Sequence, residues 1–194
     1  EKSTCEFSVG GGYTTGGENA GFTVEGSISE RNFLGRGQYI RISAGGGKDT
    51  RNYALSFTEP YFLGRRIAAG FDVYRQTQKY TNYESATSGA TVRFGLPITQ
   101  NLTTQLAYNL TSEEYNYTEA CDADNNGLPD PGCVISQPIQ DAIAYGQWIK
   151  SSVSATLQYN SIDDMKNPHS GIYATLTGEV AGLGGDAKWA KITA

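Results

Sequence analysis

The sequence has no run of about eighteen apolar residues, which excludes a transmembrane helix and leaves no secretory signal stretch. It holds one histidine and one methionine. His169 lies in a turn-forming stretch with no nucleophile pattern beside it, so nothing points to acid–base or nucleophilic catalysis. Charged residues are only 18% and hydrophobic ones 38%, both below the averages for soluble globular domains. A soluble sandwich of 194 residues would spend more Val, Ile, Leu and Phe on its core. The net charge of −5 argues against nucleic acid as a partner. The glycine-rich turns precede no helix and are not phosphate cradles. No enzyme and no cofactor is expected.

Glycine (24 residues) and tyrosine (13) are abundant instead. Residues 53–75 show how they are used. Tyr53, Leu55 and Phe57 alternate with Ala54, Ser56 and Thr58, and Ile67, Ala69, Phe71 and Val73 resume the alternation after a break. Each arm therefore has one apolar and one polar or small face. Pro60 lacks a ladder donor and Gly64 permits positive φ, so the reversal lies between them.

The same unit repeats along the chain. Phe7, Val9, Gly11 and Tyr13 share one face of a first strand, with Ser8, Gly10 and Gly12 on the other. Phe22, Val24, Gly26 and Ile28 mark a second; Ile40, Ile42 and Ala44 a third. Two more form the hairpin above. Ala90, Val92, Phe94 and Leu96 mark a sixth, Leu102, Leu106, Tyr108 and Leu110 a seventh. Val153, Ala155, Leu157 and Tyr159 follow in an eighth, Ile172, Ala174, Leu176 and Val180 in a ninth, and residues 188–194 begin a tenth.

Glu25, Arg41, Asp72, Arg93, Lys150 and Glu179 fall on the polar parity. That face could be the wet outside of a sandwich or the wet inside of a membrane barrel. Strands of about 9–11 residues with aromatics near their ends favour the barrel. The expected fold is all-β: an antiparallel transmembrane β-barrel, here about nine strands plus the start of a tenth. Residues 1–194 then form the N-terminal part of an outer-membrane barrel domain, with a long extracellular loop at about 112–144. Odd-numbered reversals would be extracellular and even-numbered ones periplasmic.

Inside the long loop Cys121 and Cys133 bracket a polar turn, and an oxidising exterior leads us to expect a disulfide between them. Asp122, Asp124, Asn126 and Asp130 around Gly127 have oxygen spacing like a calcium loop, yet Cys133 stands where such a loop has its bidentate Glu. A stapled polar turn without an ion is the preferred reading. Three Asn-X-Thr triplets, at Asn101, Asn109 and Asn116, read as strand composition.

Asn32-Phe33-Leu34-Gly35-Arg36-Gly37, Ser56-Phe57-Thr58-Glu59-Pro60-Tyr61-Phe62-Leu63-Gly64, and Asn167-Pro168-His169-Ser170-Gly171 with Leu176-Thr177-Gly178-Glu179-Val180 together resemble the BamA family of outer-membrane barrel assembly factors. Their order and spacing resemble the first part of that barrel, in an alphaproteobacterial style. The resemblance implies a sixteen-stranded barrel in the Gram-negative outer membrane, preceded by periplasmic POTRA domains. It implies unfolded outer-membrane β-barrel proteins, accessory lipoproteins met through the POTRA domains, and the lipid bilayer as partners. Neither POTRA domains nor the family's later Arg-Gly-Phe motif occurs in these residues. Its first strand, Phe7, Ser8, Val9, Gly10, Gly11, Gly12 and Tyr13, would act as a lateral-gate edge that templates client strands. A TamA-like translocation and assembly barrel, a secretion channel or a passive porin are the alternatives. Cys5 stands where related sequences tend to carry a small residue, which leaves open a natural substitution or an introduced crosslinking position.

Overall fold

Alternation becomes one continuous sheet in the computed structural model, which describes residues 4–15, 20–124, 126–163 and 169–194. The strands are β1 (Cys5–Thr14), β2 (Gly21–Phe33), β3 (Gln38–Gly47), β4 (Thr50–Glu59), β5 (Ala68–Lys79), β6 (Tyr83–Pro97), β7 (Leu102–Tyr117), β8 (Trp148–Asn160), β9 (Tyr173–Ala181) and β10 (Trp189–Thr193). Among the described residues one 3₁₀ turn, Phe62–Gly64, and one helix, α1 (Gln137–Tyr145), interrupt them. Every strand pairs antiparallel with its neighbour in sequence, in the order β1 to β10. Residues 16–19 of the first glycine-rich turn and Asn167-Pro168 of the third motif lie outside the described residues.

Register carries the apolar parity straight across the sheet. Phe7 faces Ile28, Ile28 faces Ile42, then Leu55, Val73, Ala90 and Leu110 follow in one row. A second row runs Phe57, Phe71, Val92, Tyr108, Val153, Val180. The apolar band is bounded. On its own parity Glu30 and Glu59 stand at one end of the strands, and Arg51, Arg75, Glu84 and Glu114 at the other.

Polar side chains fill the opposite face and bond to one another across strands. The Ser8 and Ser27 hydroxyls lie 2.7 Å apart, Thr91 donates to Asn109 at 3.0 Å, and Ser152 donates to Glu179 at 2.7 Å. Arg93 pairs with Asp72 and donates to Thr58 at 2.7 Å. Gly70 makes room for that guanidinium, since a Cβ there would sit 3.0 Å from Arg93 Nε and 2.7 Å from the Phe57 carbonyl.

Burial separates the two readings that periodicity left open. Among the described residues the buried apolar side chains are only Ala107, Cys121, Ala181 and Ala187. Phe7, Val9, Phe22, Val24, Ile42, Leu176 and Val180 remain exposed, and of the two rows only Leu55, Phe57 and Ala90 are half-buried. Water does not tolerate an ordered apolar face of that extent on a monomer, whereas hydrocarbon is its natural solvent.

Two boundaries differ from the sequence reading. β6 begins at Tyr83 and β7 continues to Tyr117, so the long reversal spans 118–147 rather than 112–144. Past Leu110 the polar residues Ser112, Glu114 and Asn116 occupy the formerly apolar parity, opposite Ser88, Ala86 and Glu84. The strands outrun the band there, and the alternation that marks them inverts. Within the same reversal the structure adds α1, which the alternating pattern does not signal. Its start and stop are nevertheless written in Ser136, a proline in the first turn and Gly146 at φ 84°.

Candidate functional site

β1 is the exposed edge of the sheet. It pairs with β2 from Cys5↔Glu30 to Thr14↔Gly21, and no described strand meets its other side. Arg31 N–H donates to the Thr4 carbonyl at 3.4 Å, which fixes the phase of the ladder. In an antiparallel pair successive residues turn their backbone groups to opposite sides. Glu6, Ser8, Gly10, Gly12 and Thr14 therefore bond to β2. Cys5, Phe7, Val9, Gly11 and Tyr13 direct N–H and C=O to the open side. Sequence alone leaves these two sets indistinguishable.

The glycines of β1 are not demanded by their own neighbours. A Cβ on Gly10 would meet nothing within 4 Å, and on Gly11 or Gly12 the nearest atoms lie at 3.7 Å and 3.4 Å, ordinary contacts with Thr23. Glycine in a strand gives up side-chain packing and weakens register. Near the C-terminal end of β1 the Tyr13 and Phe22 rings, 4.6 Å apart, are the one aromatic clasp between β1 and β2 among the described residues.

At the long-loop rim the chain builds a cap. Cys121 and Cys133 are joined, with Cα atoms 5.2 Å apart. The Asp122 carboxylate accepts from Asn126 N–H at 2.8 Å and Gly127 N–H at 2.9 Å, and Asp130 accepts from Ala123 N–H at 2.9 Å. Asn126 donates to Asp124 at 2.7 Å. These oxygens thus fold the turn itself, and among the described residues no three metal-ligating side chains converge. Thr118 Oγ donates to the Thr81 carbonyl at 2.7 Å, tying the stapled turn to the β5–β6 reversal. Replacing both cysteines by serine is expected to cost roughly 3 kcal/mol of loop stability in the chain-entropy account. Peptide mapping under non-reducing conditions checks the premise, and two freely alkylatable thiols after oxidative folding would contradict it.

Residues 182–188, between β9 and β10, complete the cap. Asp186 accepts from Ile149 N–H at 2.7 Å and from the Tyr145 hydroxyl at 2.9 Å. Its own N–H donates to the Ile149 carbonyl at 2.7 Å, and the buried Ser151 hydroxyl donates to the Leu183 carbonyl at 3.0 Å. The Ile149 and Tyr145 donors hold the Asp186 carboxyl below the usual aspartate range. A depressed folded-state pKa gives stability that is present above the unfolded value and lost as pH falls through the folded one. The loop should therefore keep constant protection from pH 7 down to about pH 4 and open below it. Hydrogen exchange of residues 182–188 tests this; opening already between pH 5 and 7, or an unchanged profile in Asp186→Asn, would refute it.

A bounded apolar band on one face, a bonded polar face on the other and antiparallel strands throughout define an outer-membrane β-barrel protein, of which this chain supplies ten strands. Residues 32–194 match the Omp85 superfamily domain, and the chain belongs to that family. It is 29% identical over 107 residues to the outer membrane protein assembly factor BamA of Neisseria meningitidis, covering 52% of this chain and 13% of that protein. It is 31% identical over 114 residues to the protein of the same name from Nitratidesulfovibrio vulgaris, covering 59% of this chain and 14% of that one. The chain thus spans about a seventh of these relatives. The crystal structure of BamA from Haemophilus ducreyi lacking POTRA domains 1–3 superposes with a TM-score of 0.65 at 23% identity, over 99% of this chain and 36% of that one. The motif-based resemblance and the outer-membrane location both stand on these matches.

Proposed function

We propose that this chain is the leading part of a barrel that assembles and inserts β-barrel proteins into the bacterial outer membrane, with β1 as the lateral-gate edge on which an incoming strand is templated. The observation that carries the reading is the weak packing of β1: Gly10, Gly11 and Gly12 are not required by their own neighbours, and Phe7, Val9, Gly11 and Tyr13 aim backbone donors and acceptors away from β2, to the side where a closing strand or a client would pair. Ordinary proteins blunt or cover such an edge, while a templating protein needs it. No covalent step and no cofactor enters: the chemistry is exchange of ladder hydrogen bonds. Unfolded outer-membrane proteins are the clients, and accessory lipoproteins act through POTRA domains outside these residues. The cap formed by residues 118–147 and 182–188 faces the exterior, and the short turns after β2, β4, β6 and β8 face the periplasm.

Reconstitution tests the reading. The full-length protein in liposomes should accelerate folding of a second, urea-unfolded barrel, whereas a porin or secretion channel would conduct steadily in planar bilayers without that acceleration. Steady conductance with no effect on client folding would reject it. Labelling of Gln137→Cys on intact cells reports the sidedness independently.

A further inference from the structure

Two of the short turns are copies of each other. Glu30-Arg31-Asn32-Phe33-Leu34-Gly35-Arg36 and Glu59-Pro60-Tyr61-Phe62-Leu63-Gly64-Arg65 share Glu, Phe, Leu, Gly and Arg at equal spacing. Three hydrogen bonds recur in both copies. Gly35 N–H donates to the Asn32 carbonyl at 2.9 Å and Gly64 N–H to the Tyr61 carbonyl at 3.0 Å. Arg36 N–H donates to Phe33 at 3.3 Å and Arg65 N–H to Phe62 at 3.1 Å. Glu30 accepts from Asn32 N–H at 2.9 Å, and Glu59 from Tyr61 N–H at 3.1 Å. The turns are neighbours on one rim, joined by the hydrogen bond from Gln38 to Glu59.

At each apex a leucine adopts a conformation that leucine avoids. Leu34 has φ 55° and Leu63 φ 54°, each followed by a glycine at φ 71°. Positive φ opposes a Cβ, and Gly, Asn or Asp would fill these positions without the strain. Nor does packing explain the choice, since Leu34 is 74% and Leu63 82% exposed. Strain at an exposed apolar side chain marks a site that meets something else. The direction is set by Phe62, whose ring lies 6.1 Å from Phe94, a residue of the apolar band. That ring of the second copy lies on the lipid side of the wall, while Pro60, Tyr61 and Arg66 border polar-face residues such as Gln105 and Gln158. Exposed arginines, Arg36 and Arg65, close both copies. Apolar apex plus guanidinium is the complement of a phosphate-bearing lipid: hydrocarbon for Leu, headgroup for Arg.

We propose that the paired turns are a lipid anchor, with Leu34 and Leu63 inserted below the headgroups and Arg36 and Arg65 holding anionic phospholipid phosphates at this rim. The proposal rests on the membrane-spanning reading of the sheet but not on which leaflet the rim meets, so it can fail while the assembly function stands. The test uses the full-length protein, with Cys5→Ser, in vesicles of phosphatidylcholine with or without phosphatidylglycerol. A nitroxide attached at Leu34→Cys or Leu63→Cys should collide with oxygen and be shielded from a water-soluble nickel complex, unlike one at Gln137→Cys. Nickel access equal to that at Gln137→Cys would mean turns in water, and shielding from both reagents would mean turns covered by protein. Either result overturns the proposal. Spin-labelled lipids give the second measurement. The double variant Arg36→Gln with Arg65→Gln should lose the preference for phosphatidylglycerol over phosphatidylcholine by roughly tenfold; an unchanged preference would overturn the arginine role. Leu34→Asn with Leu63→Asn relaxes the backbone yet should weaken membrane attachment. A purely structural turn would show the opposite, a more stable protein with attachment intact.

Discussion

Proline at Phe7, Val9 or Gly11 in the full-length protein should leave the barrel folded and slow its assembly of clients severalfold. Those residues aim their backbone groups away from β2, so the lost N–H removes no bond of the β1–β2 ladder. It does remove a donor that an incoming strand would use. That one ladder bond, at about 1 kcal/mol, corresponds to about fivefold in client insertion rate, to which the proline ring adds a steric obstacle at the pairing edge. Proline at Ser8, Gly10 or Gly12 should act on the other side, releasing β1 from β2 and lowering the yield of folded barrel. The measurement is insertion of a second barrel into liposomes, beside heat-modifiable gel mobility as a report on folding. Folded variants from both sets that insert clients at the normal rate would show that β1 does not template through its backbone.

Arginine on the apolar parity should damage the fold itself. Val153 lies inside the second apolar row, between Tyr108 and Val180, and Leu176 faces Leu157. Val153→Arg or Leu176→Arg is expected to cost about 2–4 kcal/mol where the site lies near the bilayer midplane. Ser154→Arg and Thr177→Arg should cost less, because those positions belong to the polar face with Asn109 and Thr156. Equal losses on both parities in folding titrations into lipid would remove the membrane reading of the sheet.

What could be read in advance follows from what period-two patterning encodes. The apolar set from Phe7 to Val180 specifies parity, and parity with short turns specifies neighbour order. Phase is a different property. Whether Gly11 or Gly10 bonds to β2 depends on hydrogen-bond direction, to which side-chain pattern is blind. The upper ends of β6 and β7 were hidden because Ser112, Glu114 and Asn116 invert the alternation on leaving the band. α1 was hidden by shortness: Ile139 and Ile143 are its only widely apolar repeat, although its capping residues were visible. In the stapled turn the acidic spacing was legible, but its use was not. Asp122 and Asp130 serve backbone donors of their own loop. The Asp186 bonds join segments far apart in sequence and left no local trace.

The apolar rows that cross the sheet exist only as a product of pairing. Along the chain their members are interleaved mostly with small, polar or charged residues, so no window of these residues is apolar enough to be retained as a helix by a membrane. Once β-structure forms, the same residues gather on a single face and the polypeptide acquires a preference for hydrocarbon that its linear form lacked. A membrane would therefore meet two different solutes in these residues, a polar one before strand pairing and an apolar-banded one after it.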